Sequence, residues 1–155
     1  YKSFIADDIS KNSESQILNN FINYYISLGK PPVYYWCAES NMFNRACTSH
    51  NINFNINWID MCDIFKYEQI VIQGCFGFGL KEISKNMNKH NMINTKIESE
   101  CNNGMMAMMK AWRCYKTTNN PKHSSIMKDV EKYNEFDCKV MFDILNFLRS
   151  KYKIE

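Results

Sequence analysis

The chain has 155 residues, enough for one domain with a real core, and its 45% hydrophobic and 14% aromatic content excludes a disordered tail. No apolar run approaches the roughly 18 residues that cross a bilayer, and no signal-peptide pattern opens the chain. A net charge of +3 permits nucleic-acid binding without arguing for it, because a dedicated binder carries a denser basic stripe.

Seven cysteines, at 37, 47, 62, 75, 101, 114 and 138, are widely spaced, and none forms a C-x-x-C pair. That spacing argues against a zinc or thioredoxin-like motif. Most lie among apolar residues, as small core side chains do. A reduced intracellular compartment, cytoplasmic or nuclear, with no membrane partner and no secretion, is the expectation.

Residues 1–6 read as a short strand. Ser13 and Gln16 are spaced as a capping box, and Ile17, Leu18, Phe21, Ile22, Tyr25 and Ile26 behind them follow helical periodicity. Gly29 and Pro31-Pro32 end that helix. Val33-Tyr34-Tyr35-Trp36 reads as a buried strand, and Glu39 opens a second helix. Segment 51–57 alternates polar and apolar, but its asparagines favour turns, so an extended loop is expected. Trp58 to Phe65 reads as a helix and Ile70-Val71-Ile72 as a short extended piece.

Gly74, Gly77 and Gly79 punctuate a loop without the G-x-G-x-x-G spacing of a dinucleotide fingerprint. A helix carrying Leu80, Ile83 and Met87 follows, on which Lys81, Lys85 and Lys89 read as a solvated face. Residues 91–103 are polar loop. Met105, Met108, Met109 and Trp112 mark a helix with the methionines in the core. Asn119-Asn120-Pro121 breaks it. A final helical region begins at Ser124 or Ser125, bends or restarts near Asn134, and runs on through Val140, Ile144 and Leu148. Few strands among many helices imply an α/β class, a small sheet covered by helices, in one domain spanning 1–155.

His50, His90 and His123 stand in polar loops without ligand pairing, and no serine or cysteine lies in an activating context. Three acids carry more. Glu39 follows the 33–36 strand, where open α/β sheets place their sites. Asp60 interrupts an apolar run. Tyr133 and Asp137, at i and i+4, share one helical face. By spacing alone each acid is more readily a cap or a helix N-terminal carboxylate.

Taken together, the order of pieces resembles the ribonuclease-H-like domain of the YprB type, in the DEDD 3′–5′ exonuclease superfamily. Tyr133-Asn134-Glu135-Phe136-Asp137 is similar to the third exonuclease motif in its tyrosine form, and Val33 to Glu39 to the second. Gly79-Leu80-Lys81-Glu82-Ile83 is similar to the family's loop-to-helix element. The resemblance spans roughly Phe4 to Leu148 and implies a ribonuclease-H-like fold. It also implies two-metal hydrolysis of DNA or RNA, with Mg²⁺ or Mn²⁺ as the two ions. Asp137 and Glu39 would be metal ligands, Asp60 the second choice, and Tyr133 the residue that orients the attacking water.

The family's first motif, an Asp-x-Glu on the first strand, is absent, and Glu39 stands where aspartate is usual. The expectation is therefore that the first strands and two further carboxylates lie upstream, with other domains of the same polypeptide. The 155 residues alone would then be inactive. The competing expectation is a catalytically inactive nucleic-acid-binding or interaction module of a larger nuclease or helicase.

Overall fold

The computed structural model describes residues 1–96, 99–101 and 103–152. It is mixed α/β and mostly helical, around a two-stranded parallel sheet. In chain order the elements are α1 (Lys11–Ser27), β1 (Val33–Tyr35), α2 (Glu39–Ser49), β2 (Trp58–Asp60) and α3 (Met61–Tyr67). Then follow α4 (Leu80–Lys89), α5 (Gly104–Thr117), a 3₁₀ turn (Pro121–His123) and α6 (Ser125–Tyr152). In the sheet Val33 pairs with Trp58, Tyr34 with Ile59 and Tyr35 with Asp60.

Several expectations change. Residues 1–6 form no strand: they lie extended and pack by side chain, with Phe4 edge-on to Phe21 at 5.8 Å. The cap of α1 is Ser10, whose hydroxyl accepts from the Ser13 amide, so Ser13 lies inside the helix. Trp58 to Phe65 is no single helix. Its first three residues pair with β1, and Asp60 then caps α3. An apolar run too short to show a period cannot separate the two states. Ile70-Val71-Ile72 joins no ladder.

Segment 51–57 joins no ladder: Asn51 sits in a left-handed turn, and at the other end the Asn57 carbonyl accepts from the Val33 amide at 2.8 Å. Ile52, Phe54 and Ile56 turn inward while its four asparagines are exposed, which is strand alternation without a ladder. At the end of α1, Gly29 takes a positive φ of 80°, a conformation glycine adopts without the penalty a Cβ brings.

Two apolar clusters form the core. The larger joins Trp36 to Met61, Cys62 and Phe65 of α3, to Ile83 and Met87 of α4, and to Val140, Ile144 and Leu148 of α6. The smaller joins Cys101 to Ala107 and Cys114 of α5 and to Met127, Val130 and Tyr133 of α6. Helix α6 is continuous through all 28 residues, without a restart at Asn134. Its first half packs in one cluster and its second half in the other. Helix α5 contradicts the expected methionine core: Met105, Met108, Met109 and Trp112 are each 64–69% exposed. Its apolar periodicity is real, but the buried face is the one carrying Ala107 and Cys114.

Candidate functional site

The buried residues of α6 fall at 127, 130, 133, 140, 144 and 148. These steps of three and four make one apolar stripe. The gap between 133 and 140 is filled by Asp137. An aspartate thus sits in the seam of the longest helix, where the two clusters meet. Its Oδ1 is buried and has no hydrogen-bond partner. A buried carboxylate oxygen left unpaired costs free energy, and such orphans are rare in folded proteins.

Three neighbours define its surroundings. Tyr133, one turn earlier on the same face, lies close enough for its hydroxyl to favour the charged form of the Asp137 carboxylate. Lys81, in the first turn of α4, places its ammonium 4.3 Å from the centre of the Tyr133 ring. Glu39, the first residue of α2, is near enough for its charge to act on Asp137. Burial raises the Asp137 pKa; Lys81 and the tyrosine pull it back, and Glu39 raises it again. The Tyr133 hydroxyl is pushed up to about 12, by burial first and by the Asp137 charge second. Cys138 is raised too, by burial and then by Asp137 and Glu39.

Glu39 is held by its own loop. Its Oε2 accepts from the amides of Trp36 at 3.1 Å and Ala38 at 3.3 Å. Trp36 is fixed in turn, because its indole N–H donates to the Phe78 carbonyl at 2.8 Å in the glycine-rich loop before α4. Strand β1 and that loop therefore bring Glu39 and Lys81 near enough for their charges to act on Asp137.

Asp60, the second-choice ligand, is a capping residue. Its Oδ1 accepts from the amides of Cys62 at 2.8 Å, Cys37 at 3.2 Å and Asp63 at 3.4 Å. Among the described residues, no third His, Cys, Asp or Glu joins Glu39 and Asp137 at ligand spacing. The three histidines stay outside the site. His50 pairs with Glu14 at 2.8 Å and His90 with the Gln73 carbonyl at 3.0 Å, while His123 is exposed.

Sequence reasoning missed the part played by Lys81, taken there for a solvated face. The signal lay in the neighbouring Leu80 and Ile83: a lysine between two core-facing residues of one helix end stands beside the core. Comparison with known proteins adds nothing to this geometry: no family model, curated protein or solved structure matches the chain.

Proposed function

We propose that this domain hydrolyses phosphodiester bonds of DNA or RNA with divalent cations, as a ribonuclease-H-like exonuclease of the 3′–5′ type. The observation that carries the reading is the orphaned Asp137 Oδ1 in an otherwise apolar seam, with a second carboxylate, Glu39, acting on it. A carboxylate oxygen with no donor, facing another negative charge, is suited to a hard cation with oxygen ligands. Asp137 and Glu39 would hold the metal. The Mg²⁺ or Mn²⁺ pair, when bound, supplies an activated water and charge stabilisation for the phosphoryl oxygens.

The chain's own residues do the rest. Tyr133, with a hydroxyl that stays protonated at neutral pH, remains a donor and can orient a water beside Asp137. Lys81 adds a positive charge where a phosphate would approach. Glu39 enters with one oxygen already tied to its loop and the other available to the cation.

Two carboxylates are fewer than two ions require. In this reading the remaining ligands come from outside the described residues. The absence of a third ligand among the described residues is also what an inactive nucleic-acid-binding module would present.

The test uses the full-length protein, an end-labelled single-stranded oligonucleotide and Mn²⁺. Asp137→Asn should abolish cleavage while the circular dichroism spectrum is kept. Tyr133→Phe should slow cleavage less, because positioning a water contributes less than holding the metal. No metal-dependent cleavage by the wild-type protein, with oligonucleotide binding retained, would establish the binding module instead.

A further inference from the structure

The ends of β1 and β2 bring together a second set of ligand atoms. Tyr35 pairs with Asp60, so Cys37 two residues on lies across from the start of α3. The sulfurs of Cys37 and Cys62 and a carboxylate oxygen of Asp60 all lie within 4.8 Å of one another. At tetrahedral geometry, metal–sulfur bonds of about 2.3 Å and metal–oxygen bonds of about 2.0 Å require ligand separations near 3.8 Å or less. Small side-chain rotations suffice to reach that spacing.

Cys37 holds a left-handed φ of 70°, strained for a residue with a side chain, and its amide donates to Asp60 Oδ1. Among the described residues, the hydrogen bonds that Asp60 accepts fall on Oδ1, which leaves Oδ2 uncommitted. Cys62 is buried and Cys37 exposed, which gives an entry path from solvent.

We infer that Cys37, Asp60 and Cys62 form a separate cation site for a thiolate-preferring divalent ion, Zn²⁺ by chemical class. Loading releases the two thiol protons to solvent and leaves two thiolates, one carboxylate and a 2+ ion, a net charge of −1. Lys66, whose ammonium pairs with Asp63 at 3.3 Å, lies near enough to Cys62 for its charge to balance it. Such an outer partner is what thiolate metal sites commonly use to hold their ligands. Thiolates select Zn²⁺ over Mg²⁺, so this centre is chemically distinct from the Glu39–Asp137 pair. Three protein ligands leave the fourth tetrahedral position open. The inference does not depend on nuclease activity.

The experiment is a Co²⁺ titration of the full-length protein, stripped with chelator and kept reduced by a phosphine. One equivalent should bind with thiolate-to-cobalt charge-transfer absorption and be displaced by Zn²⁺. Cys37→Ser, at an exposed position, should keep the fold and weaken the absorption. It should also lower affinity by more than the about 10–100-fold that loss of an outer partner costs. Cys62→Ser should do the same, and Cys75→Ser, at a cysteine outside the cluster, should change neither quantity. Absence of charge-transfer absorption in the wild-type protein, or its persistence in both serine variants, would overturn the proposal. So would a Cys37–Cys62 disulfide forming at equal rates with and without Zn²⁺ under a mild disulfide oxidant, which would mark a redox pair.

Discussion

Two aspartates on α6 respond to pH in opposite directions. Burial raises Asp137, so the folded state holds that proton more tightly than the unfolded chain does. Its contribution is complete below the ordinary carboxylate pKa and is lost as pH rises through the raised value. Asp137→Asn should therefore raise Tm at neutral pH, with a gain that vanishes in acid. A pH series of thermal melts checks this. Added Mn²⁺ should narrow the difference by stabilising only the wild-type protein. Asp129 behaves the other way. Lys110 at 2.7 Å holds its carboxyl well below the usual range, helped by the Glu100 amide. That stability is present above the unfolded pKa and is lost as pH falls through the depressed one. Asp129→Asn should lower Tm at neutral pH and converge with wild type in strong acid. A gain at neutral pH would contradict the assigned cause.

Ser10, Asp60 and Asn103 cap α1, α3 and α5 through their side chains, and such caps predict measurable losses. Asn103 caps α5 by accepting from the Met106 amide at 2.8 Å. Asn103→Ala should cost about 0.5–2 kcal/mol in chemical denaturation. A larger core effect is expected from Ile144→Ala, at a fully buried stripe position, of about 2–5 kcal/mol. The exposed face of α5 gives a chemical test. Met105, Met108 and Met109 should be oxidised by dilute peroxide well before Met61, Met87 and Met127, which are 0–4% exposed. Peptide mass spectrometry at successive times measures the order, and early oxidation of Met61 or Met87 would refute the burial assignment.

The same elements show what the sequence made legible. Gly29 with two prolines, the glycine-rich loop before Leu80, and Asn119-Asn120-Pro121 all marked breaks that the fold keeps, because each acts through local backbone geometry. Positions 58–60 were not legible, since pairing with β1 is a non-local choice that a three-residue apolar run cannot announce. Nor was the outward face of α5. Periodicity says that a helix has an apolar side, not that the side meets the core. Glu39, Tyr133 and Asp137 were singled out through a resemblance of sequence pieces. What convergence adds is that burial, not capping, sets the state of Asp137, and that needed the continuity of α6.

At the scale of the whole molecule, aromatic contacts tie the N-terminal segment to the sheet. Phe4 meets Phe21, Phe21 meets Phe43, Phe43 meets Trp58 and Trp58 meets Tyr35, at centroid distances of 5.5–5.8 Å. Phe43→Ala interrupts this series at its middle. It should lower stability, by less than the about 3–5 kcal/mol of a fully buried Phe→Ala change, and loosen residues 1–6, read as faster amide exchange near Phe4. At the other side of the sheet, Arg149 near the end of α6 donates to the Tyr34 hydroxyl at 3.0 Å. The 28-residue helix is thus fastened along a length of about 42 Å.

A rod fastened at both ends also fixes a rotational phase. One inserted residue turns everything beyond it by about 100°. Within residues 134–139 such an insertion would leave Met127, Val130 and Tyr133 seated while Val140, Ile144 and Leu148 swing off their cluster. The two halves of the core cannot then both be satisfied, whatever residue is inserted. Four inserted residues, about 400°, would nearly restore the phase but displace the second half by about 6 Å along the axis. The chain between Tyr133 and Val140 therefore tolerates substitution far better than any change of length, and its reading frame of turns, as much as its chemistry, is what keeps Asp137 in the seam between the two clusters.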